Sequence, residues 1–134
     1  MKTILVGLGG RARHWQGACN DHPDVELVAY VEPNEENKKR AIEERSVSEN
    51  LIHDSLEEAI NAAQADFVID VTPPAVHETI ATTTFNAGLN LLGEKPLSND
   101  FAAAKRIVEA GKQAGVKHMI TQNYRFNALP RTTH

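Results

Sequence analysis

The glycines near the start of the chain have the spacing of a phosphate-binding turn. An apolar run, residues 3–6, leads directly into a Gly-x-Gly-x-x-Ala pattern at residues 7–12. In such a pattern the first glycine makes a tight turn, the second lets the backbone approach a pyrophosphate, and the small third residue lets helix and strand pack closely. A following helix would point its N–H groups at the phosphates. The pattern predicts a dinucleotide-binding turn made by Gly7, Gly9, Gly10, Arg11 and Ala12, with an ordinary strand-to-helix turn as the alternative.

A carboxylate ends the second apolar run, about 20 residues beyond the glycine pattern, where a ribose-binding acid belongs. This residue is Glu32, followed by Pro33 and Asn34. A carboxylate here can accept hydrogen bonds from the adenine-ribose hydroxyls and would repel the 2′-phosphate of NADP. We therefore predict NAD as the cofactor, with NADP possible and a plain turn acid as the alternative role of Glu32.

Two prolines follow a later apolar strand, in the run Thr72-Pro73-Pro74, and His77 comes shortly after them. Proline holds the chain extended and removes N–H donors, so this run predicts a rigid wall beside a bound cofactor. His77 would lie in the first turn of the next helix. We expect it to line the cofactor or to serve as a packing residue.

A lysine lies between the end of the fifth predicted strand and a proline, in the run Glu94-Lys95-Pro96. Partial desolvation beside a cationic nicotinamide would lower the pKa of Lys95 and make it a proton donor or acceptor. Glu94 would orient this lysine or bind the ribose. From the residues alone, a surface Lys/Glu pair is the other interpretation. The cluster Gln122–Phe126, which includes Arg125, either contacts ligand or is a plain strand exit.

Strand-like and helix-like segments alternate along the chain without hairpin signals, which predicts a Rossmann-type α/β fold with helices on both faces of a doubly wound, mostly parallel, six-stranded sheet. Ligand should bind at the carboxyl ends of the strands, where the winding reverses. The predicted strands are 2–6, 25–31, 51–53, 65–72, 89–92 and 116–121, and the predicted helices are 11–20, 35–45, 56–63, 74–86 and one ending at 114 whose cap is Ser98 or Asn99.

Composition limits the possible partners and compartments. The 134 residues carry a net charge of −4, with 24% charged and 41% hydrophobic residues. No basic cluster predicts a nucleic-acid or membrane partner, and the apolar runs are too short to span a bilayer. The single cysteine, Cys19, fits a reducing cytoplasm. The six histidines and this cysteine have no ligand-like spacing, so we expect no metal.

Taken in order, these motifs resemble the glucose–fructose oxidoreductase / inositol dehydrogenase (Gfo/Idh/MocA) family. The resemblance covers nearly the whole chain, and the Glu-Lys-Pro run is its most specific mark. It rests on the glycine motif, Thr72-Pro73-Pro74 with His77, Glu94-Lys95-Pro96 and Tyr124-Arg125-Phe126.

The resemblance implies an NAD(P)-dependent oxidoreductase that transfers a hydride between a nicotinamide cofactor and a sugar, cyclitol or related polyol. Lys95 would be the catalytic lysine, assisting proton transfer at the reacting oxygen, and Glu94 would lie at the nicotinamide end. The other cofactor contacts that it implies are the glycine turn at the pyrophosphate, Glu32 at the adenine ribose, Thr72, Pro73 and His77 beside the cofactor, and Arg125 near the nicotinamide or the domain junction.

Family members continue into a second α/β domain that supplies most of the substrate pocket. We therefore expect residues 1–126 to form the NAD(P)-binding domain and 127–134 to begin a linker to a substrate domain absent from this chain. Alone, the chain should not turn over substrate appreciably, and it should self-associate or dock onto another chain.

Two other functions are consistent with the residues. A non-catalytic dinucleotide-binding or interaction module would keep the fold and tolerate the loss of Lys95. A transferase that binds S-adenosylmethionine would also use a glycine-rich first turn and an acid after the second strand, but it would not need Glu94-Lys95-Pro96.

Overall fold

The computed structural model describes residues 1–126, which form one α/β unit. Strands and α-helices alternate strictly along the chain. The strands are β1 (Lys2–Val6), β2 (Glu26–Val31), β3 (Ile52–His53), β4 (Phe67–Asp70), β5 (Asn90–Gly93) and β6 (His118–Ile120). The helices are α1 (Ala12–Asp21), α2 (Glu35–Arg45), α3 (Leu56–Ala62), α4 (His77–Asn86) and α5 (Phe101–Ala114), with short 3-10 turns at Glu49–Leu51 and Asn123–Phe126.

All six strands belong to one sheet with the order β3-β2-β1-β4-β5-β6, and all five neighbouring pairs are parallel. The predicted Rossmann fold is confirmed, and the sheet is wholly rather than mostly parallel. Because successive strands run outward from β1 in one direction and then from β4 in the other, the winding reverses between β1 and β4. In open sheets of this kind, ligands bind outside the carboxyl ends of the strands at this reversal.

The sheet separates two hydrophobic cores. Alternate residues of β1 point to opposite faces, so Ile4 and Val6 belong to one core and Leu5 to the other. The first core packs the sheet against α3, α4 and α5, through residues such as Leu56, Phe85 and Ile107. The second packs it against α1 and α2, through Ala12, Cys19 and Ala41. Because all six strands are parallel, their carboxyl ends lie at one edge of the sheet.

Two helix starts differ from the predicted ones. The helix expected from Pro74 begins only at His77, because the amide of Val76 bonds to the carbonyl of Pro73 and closes a separate turn first. The cap of α5 is Asp100, whose carboxylate accepts from the amide of Ala103 at 2.7 Å.

The predicted caps Ser98 and Asn99 come too early. The hydroxyl of Ser98 instead accepts from the amide of Asp100, at 3.1 Å, and so supports the residue that does cap the helix. Among residues 1–126, no helix is both long and apolar enough to cross a membrane.

Candidate functional site

A cleft of about 730 Å³ opens at the carboxyl edge of the sheet, over the point where the winding reverses. The ends of β1, β2 and β4 contribute Val6, Val31 and Val71 to its walls. Seven residues of the predicted site also line it: Gly7, Gly9, Gly10, Arg11, Glu32, Thr72 and Pro73. The fold therefore brings together residues as far apart in sequence as Gly7, after β1, and Pro73, after β4.

The glycine turn connects β1 to α1, and its glycines have different surroundings. Gly7 has a φ of +93°, and a Cβ there would lie 3.2 Å from Cγ2 of Thr72 and 3.3 Å from the backbone of Val71 and Thr72. Both the backbone conformation and the close approach of the β4 exit therefore require glycine. A Cβ at Gly9 or Gly10 would meet no atom of the described chain within 4 Å. These two positions leave space that a ligand can occupy.

The N-terminus of α1 opens at this turn without a capping side chain. By contrast, α2, α3 and α5 are capped by Asn34, Ser55 and Asp100. An uncapped N-terminus offers N–H donors and the positive end of the helix dipole, both of which favour a phosphate. Ala12 is fully buried in the core below, so a small residue here lets α1 lie close to the sheet. The turn and the helix end together fit a pyrophosphate.

Glu32 connects the end of β2 to the glycine turn. It is only 6% exposed, and its Oε2 accepts from the amide of Leu8 at 2.8 Å and from Nδ2 of Asn37 at 3.2 Å. Its Oε1 accepts from the amide of Asn34 at 3.0 Å. A carboxylate has about four acceptor positions, so about one remains for a hydroxyl in the cleft. Glu32 thus organises the turn, and it can still accept a ribose hydroxyl.

The β2 end of the cleft is acidic. Asp54 and Glu57 line it together with Glu32, and Arg11 is the one basic residue among the described residues that form the wall. Arg11 is itself paired with Glu94, its Nε lying 3.1 Å from Oε1. Lys38, on the neighbouring helix α2, is paired with Glu35 and Asp54. This end of the cleft therefore disfavours an extra phosphate group.

A second cleft, of about 540 Å³, begins on the other side of Arg11 and is lined by Trp15, Glu94 and Arg125, among others. Glu94 follows β5, and its Oε1 accepts from Nε1 of Trp15 at 2.9 Å. Burial raises the pKa of the Glu94 carboxyl, but the hydrogen bond from Trp15 and the charge of Arg11 outweigh burial and lower this pKa below its ordinary value. Glu94 is therefore ionised at neutral pH.

Lys95 is exposed at the end of β5. Its backbone amide donates to Oε2 of Glu94 at 3.3 Å, while the ion pair of Glu94 is with Arg11. The described structure thus orients Glu94 through Trp15 and Arg11 rather than through the Lys95 ammonium. The lysine side chain remains accessible to a ligand, and its catalytic role stays a prediction.

The β4 exit is fixed by a buried acid. Asp70 is 2% exposed, and its Oδ1 accepts from the amide of Thr72 at 2.9 Å and from the hydroxyl of Thr72 at 2.6 Å. Burial raises the pKa of Asp70, and the bonds from Thr72 and the charge of His77 act in the opposite direction. The two hydrogen bonds from Thr72 to the buried Asp70 therefore fix the position of the cleft wall made by Thr72 and Pro73.

His77 lies behind this wall rather than in the cleft. It is 4% exposed, with Nε2 at 2.9 Å from the carbonyl oxygen of Thr72 and Nδ1 at 3.0 Å from that of Pro96. His77 therefore has the predicted packing role, and a direct contact between His77 and a cofactor stays a prediction.

Arg125 lies in the second cleft. The predicted linker, residues 127–134, lies outside the described residues.

Three residues that help to form the site were not singled out from the sequence: Trp15, Asn37 and Asp70. Trp15 lies four residues after Arg11, a spacing that places both on one side of α1, so an aromatic partner for the same acid could have been expected. Asp70 is an acid within the apolar run 67–71, and acids are almost never fully buried unless paired. Asn37 gives no signal beyond its position in the first turn of α2. Within residues 1–126, no group of three His, Cys, Asp or Glu side chains could hold a metal ion.

Comparison with known proteins adds independent findings. Residues 1–122 match the sequence model of the Gfo/Idh/MocA family, described as an oxidoreductase family with an NAD-binding Rossmann fold. The chain is 30% identical over 125 residues to D-apiose dehydrogenase of Paraburkholderia graminis, which covers 93% of this chain and 33% of that protein. It is 29% identical over 122 residues to inositol 2-dehydrogenase of Corynebacterium glutamicum, covering 88% of this chain and 36% of that protein.

A solved structure is similar over almost the whole chain. It is the WlbA dehydrogenase from Bordetella pertussis in complex with NADH and UDP-GlcNAcA, with a TM-score of 0.88 and 28% identity, covering 98% of this chain and 40% of that one. This chain therefore spans about a third of the length of the curated relatives that it matches.

Proposed function

We propose that this chain, which belongs to the Gfo/Idh/MocA family of oxidoreductases and is its NAD-binding Rossmann domain, serves as the cofactor-binding part of a dehydrogenase for a sugar, cyclitol or related polyol. The observation that carries the proposal is the cleft at the winding reversal, where the glycine turn, an uncapped helix N-terminus and Glu32 meet. Similarity to an apiose and an inositol dehydrogenase supports the substrate class.

Each part of the cleft fits a different part of the dinucleotide. The space above Gly9 and Gly10 and the N-terminus of α1 fit the pyrophosphate. The remaining acceptor position of Glu32 fits a ribose hydroxyl, and the acidic surroundings favour NAD over NADP. Thr72 and Pro73 form a wall of the cleft, and Glu94 lines the second cleft, which begins on the other side of Arg11. The second cleft, which Arg125 also lines, is then the nicotinamide side.

When bound, NAD supplies the hydride acceptor, and NADH the hydride donor, of a dehydrogenase reaction. The chain's own contribution is to hold these ligands and to move a proton. We assign the transfer of the proton to Nζ of Lys95, which is exposed and directly follows the ionised Glu94 of the second cleft in sequence. We infer that residues outside the two clefts contribute to substrate binding, because the relatives are about three times longer than this chain.

We also propose that the exposed apolar surface around Met119 is covered by a partner. Met119, on the edge strand β6, is 62% exposed and lines the second cleft together with apolar neighbours. Exposed apolar side chains beside a functional cleft are typical of an interface. We infer that a substrate domain, a second copy of the chain or another chain covers this end. The single, buried Cys19 supports a reducing, cytoplasmic location.

The proposal is tested by titrating the chain with NADH and with NADPH in a calorimeter, before and after Glu32→Ala. We expect saturable binding that is tighter for NADH. A hydrogen bond to a charged group contributes about 1.5–3 kcal/mol, so the variant should lose NADH affinity on the order of ten- to a hundredfold and lose most of the preference over NADPH.

Glu57→Ala is the matched control, because it removes the same charge from the same cleft at an exposed position. It should change the preference little, and circular dichroism should show both variants folded. Absence of saturable binding by the unaltered chain to either nucleotide would overturn the cofactor-domain proposal and favour a non-catalytic interaction module.

A further inference from the structure

We propose that His77 is a buried imidazolium, charge-balanced by Asp70, that clamps the segment after β4 to the segment after β5 and thereby positions Lys95. The part that concerns Lys95 as a catalytic group rests on the proposed function. The charge state and the clamp rest on the geometry of residues 70–96 alone.

Both hydrogen-bond partners of the His77 ring are acceptors. Both ring nitrogens of His77 lie within 3.0 Å of a carbonyl oxygen, that of Thr72 on one side and that of Pro96 on the other. A carbonyl oxygen can only accept, and a neutral imidazole has one N–H donor and one lone pair. In either neutral tautomer, therefore, the lone pair of the unprotonated ring nitrogen would face the lone pair of a carbonyl oxygen at hydrogen-bond distance. Only the doubly protonated ring satisfies both contacts.

A positive charge on His77 has a negatively charged partner, Asp70. A buried cation is costly unless it is paired and hydrogen-bonded. Asp70 is buried and lines the same small cavity of about 10 Å³ as His77. The two are also connected through Thr72, which donates to Asp70 with its amide and hydroxyl and accepts from His77 with its carbonyl. The buried positive charge thus has a buried negative one.

Other titratable groups around His77 do not supply a competing charge. His118, from β6, lines the same cavity, and burial lowers its pKa, so it is neutral at pH 7. Glu78, the next residue on α4, is paired with Arg106 of α5, while Ile107 is the residue by which α5 lines the cavity. Glu94 is directed to Trp15 and Arg11. Asp70 is therefore the counter-charge within the described residues.

His77 joins the segment after β4 to the segment after β5, and both segments belong to the site. The carbonyl of Thr72 belongs to the cleft wall, and the carbonyl of Pro96 follows directly after Lys95. A charged ring that donates to both, with hydrogen bonds about twice as strong as neutral ones, fixes the distance between them. His77 acts through these segments, so it is a positioning residue and not a catalytic one.

The test is nuclear magnetic resonance of the unaltered, ¹⁵N-labelled chain without nucleotide. We expect both ring nitrogens of His77 to carry protons at pH 7, as the two carbonyl contacts require, while His118 is neutral. The backbone amides of Lys95 and Leu97 should shift with the same pH midpoint as the His77 ring. A ring with one protonated and one unprotonated nitrogen at pH 7 would overturn the proposal.

Asp70→Asn tests the counter-charge and keeps the size of the side chain. The midpoints of the His77 ring and of the Lys95 amide should both fall by about one pH unit or more, because an opposite charge nearby is lost. Asp24→Asn, on an exposed turn, should leave both unchanged. If the ring midpoint moves without the amide, the clamp is overturned, and if neither moves, Asp70 is not the partner. None of these results depends on NADH binding, so they are distinguishable from failure of the proposed function.

Discussion

Gly9 and Gly17 both have space for an added side chain, but only Gly9 lines the cleft. At both positions an added Cβ would meet no described atom within 4 Å, and neither has a positive φ. Gly9 lines the cleft, whereas Gly17 is exposed on α1. The two glycines therefore separate the effect of a methyl group on ligand binding from its effect on folding.

We expect Gly9→Ala to weaken NADH binding at least about tenfold, because its methyl group occupies space that the pyrophosphate needs. Stability should change little. Gly17→Ala should leave the affinity unchanged and stabilise α1 by roughly 0.5–1 kcal/mol, since alanine is the better helix residue. Calorimetry for affinity and urea unfolding for stability measure the two effects. Equal affinities of the two variants would contradict this placement of the pyrophosphate.

At the scale of elements, the position of a strand was more predictable from sequence than the start of a helix. Apolar runs indicated all six strands, because a parallel strand covered on both faces must be apolar along its length. The starts of α4 and α5 depend on hydrogen bonds of individual residues. Asp100 caps α5 because its carboxylate accepts from the amide of Ala103. Ser, Asn and Asp are all favoured at helix N-caps, so residue type alone does not distinguish Asp100 from Ser98 and Asn99.

The strand β6 carries a half-buried histidine whose titration should affect stability. His118 packs edge-on against Phe85 of α4, with ring centroids 5.3 Å apart, and burial lowers its pKa from 6.5. The unfolded chain therefore binds this proton more tightly than the folded one. The contribution to stability is complete above about pH 6.5 and is lost as the pH falls from there toward the lower folded value.

Comparing the chain with His118→Phe isolates this effect. As the pH is lowered from 7.5 to 5.5, the unaltered chain should lose stability relative to the variant, by up to about 1.4 kcal/mol per pH unit below 6.5. Urea unfolding at each pH gives the difference. If stability depends on pH in the same way for the His118 variant and the unaltered chain, folding does not lower the pKa of this ring.

At the scale of the whole molecule, the sequence predicted where the site lies better than how it is held together. The strand order placed the glycine turn, Glu32 and Thr72 at one edge, as expected. The contacts among them were not predictable, because they join residues distant in sequence. Examples are Glu32 to the amide of Leu8 and Trp15 to Glu94.

The exposed end of the second cleft leads to a prediction about assembly. We expect sedimentation to show self-association that increases with concentration, and Met119→Ser to weaken it, because the variant removes apolar surface from the edge of the described sheet. Val108→Ser, 40% exposed on α5, should have no effect. A monodisperse monomer over a wide concentration range would argue against a second copy as the covering partner.

Trp15 is the single tryptophan of the chain, and its indole N–H is bonded to Glu94 where the two clefts meet. All indole fluorescence therefore originates at one end of the proposed cofactor site. Indole emission overlaps the absorption band of reduced nicotinamide, so a dihydronicotinamide ring seated there would quench it by energy transfer, while ADP-ribose would not. The molecule carries an intrinsic optical probe that distinguishes occupancy of the nicotinamide end from occupancy of the adenosine end.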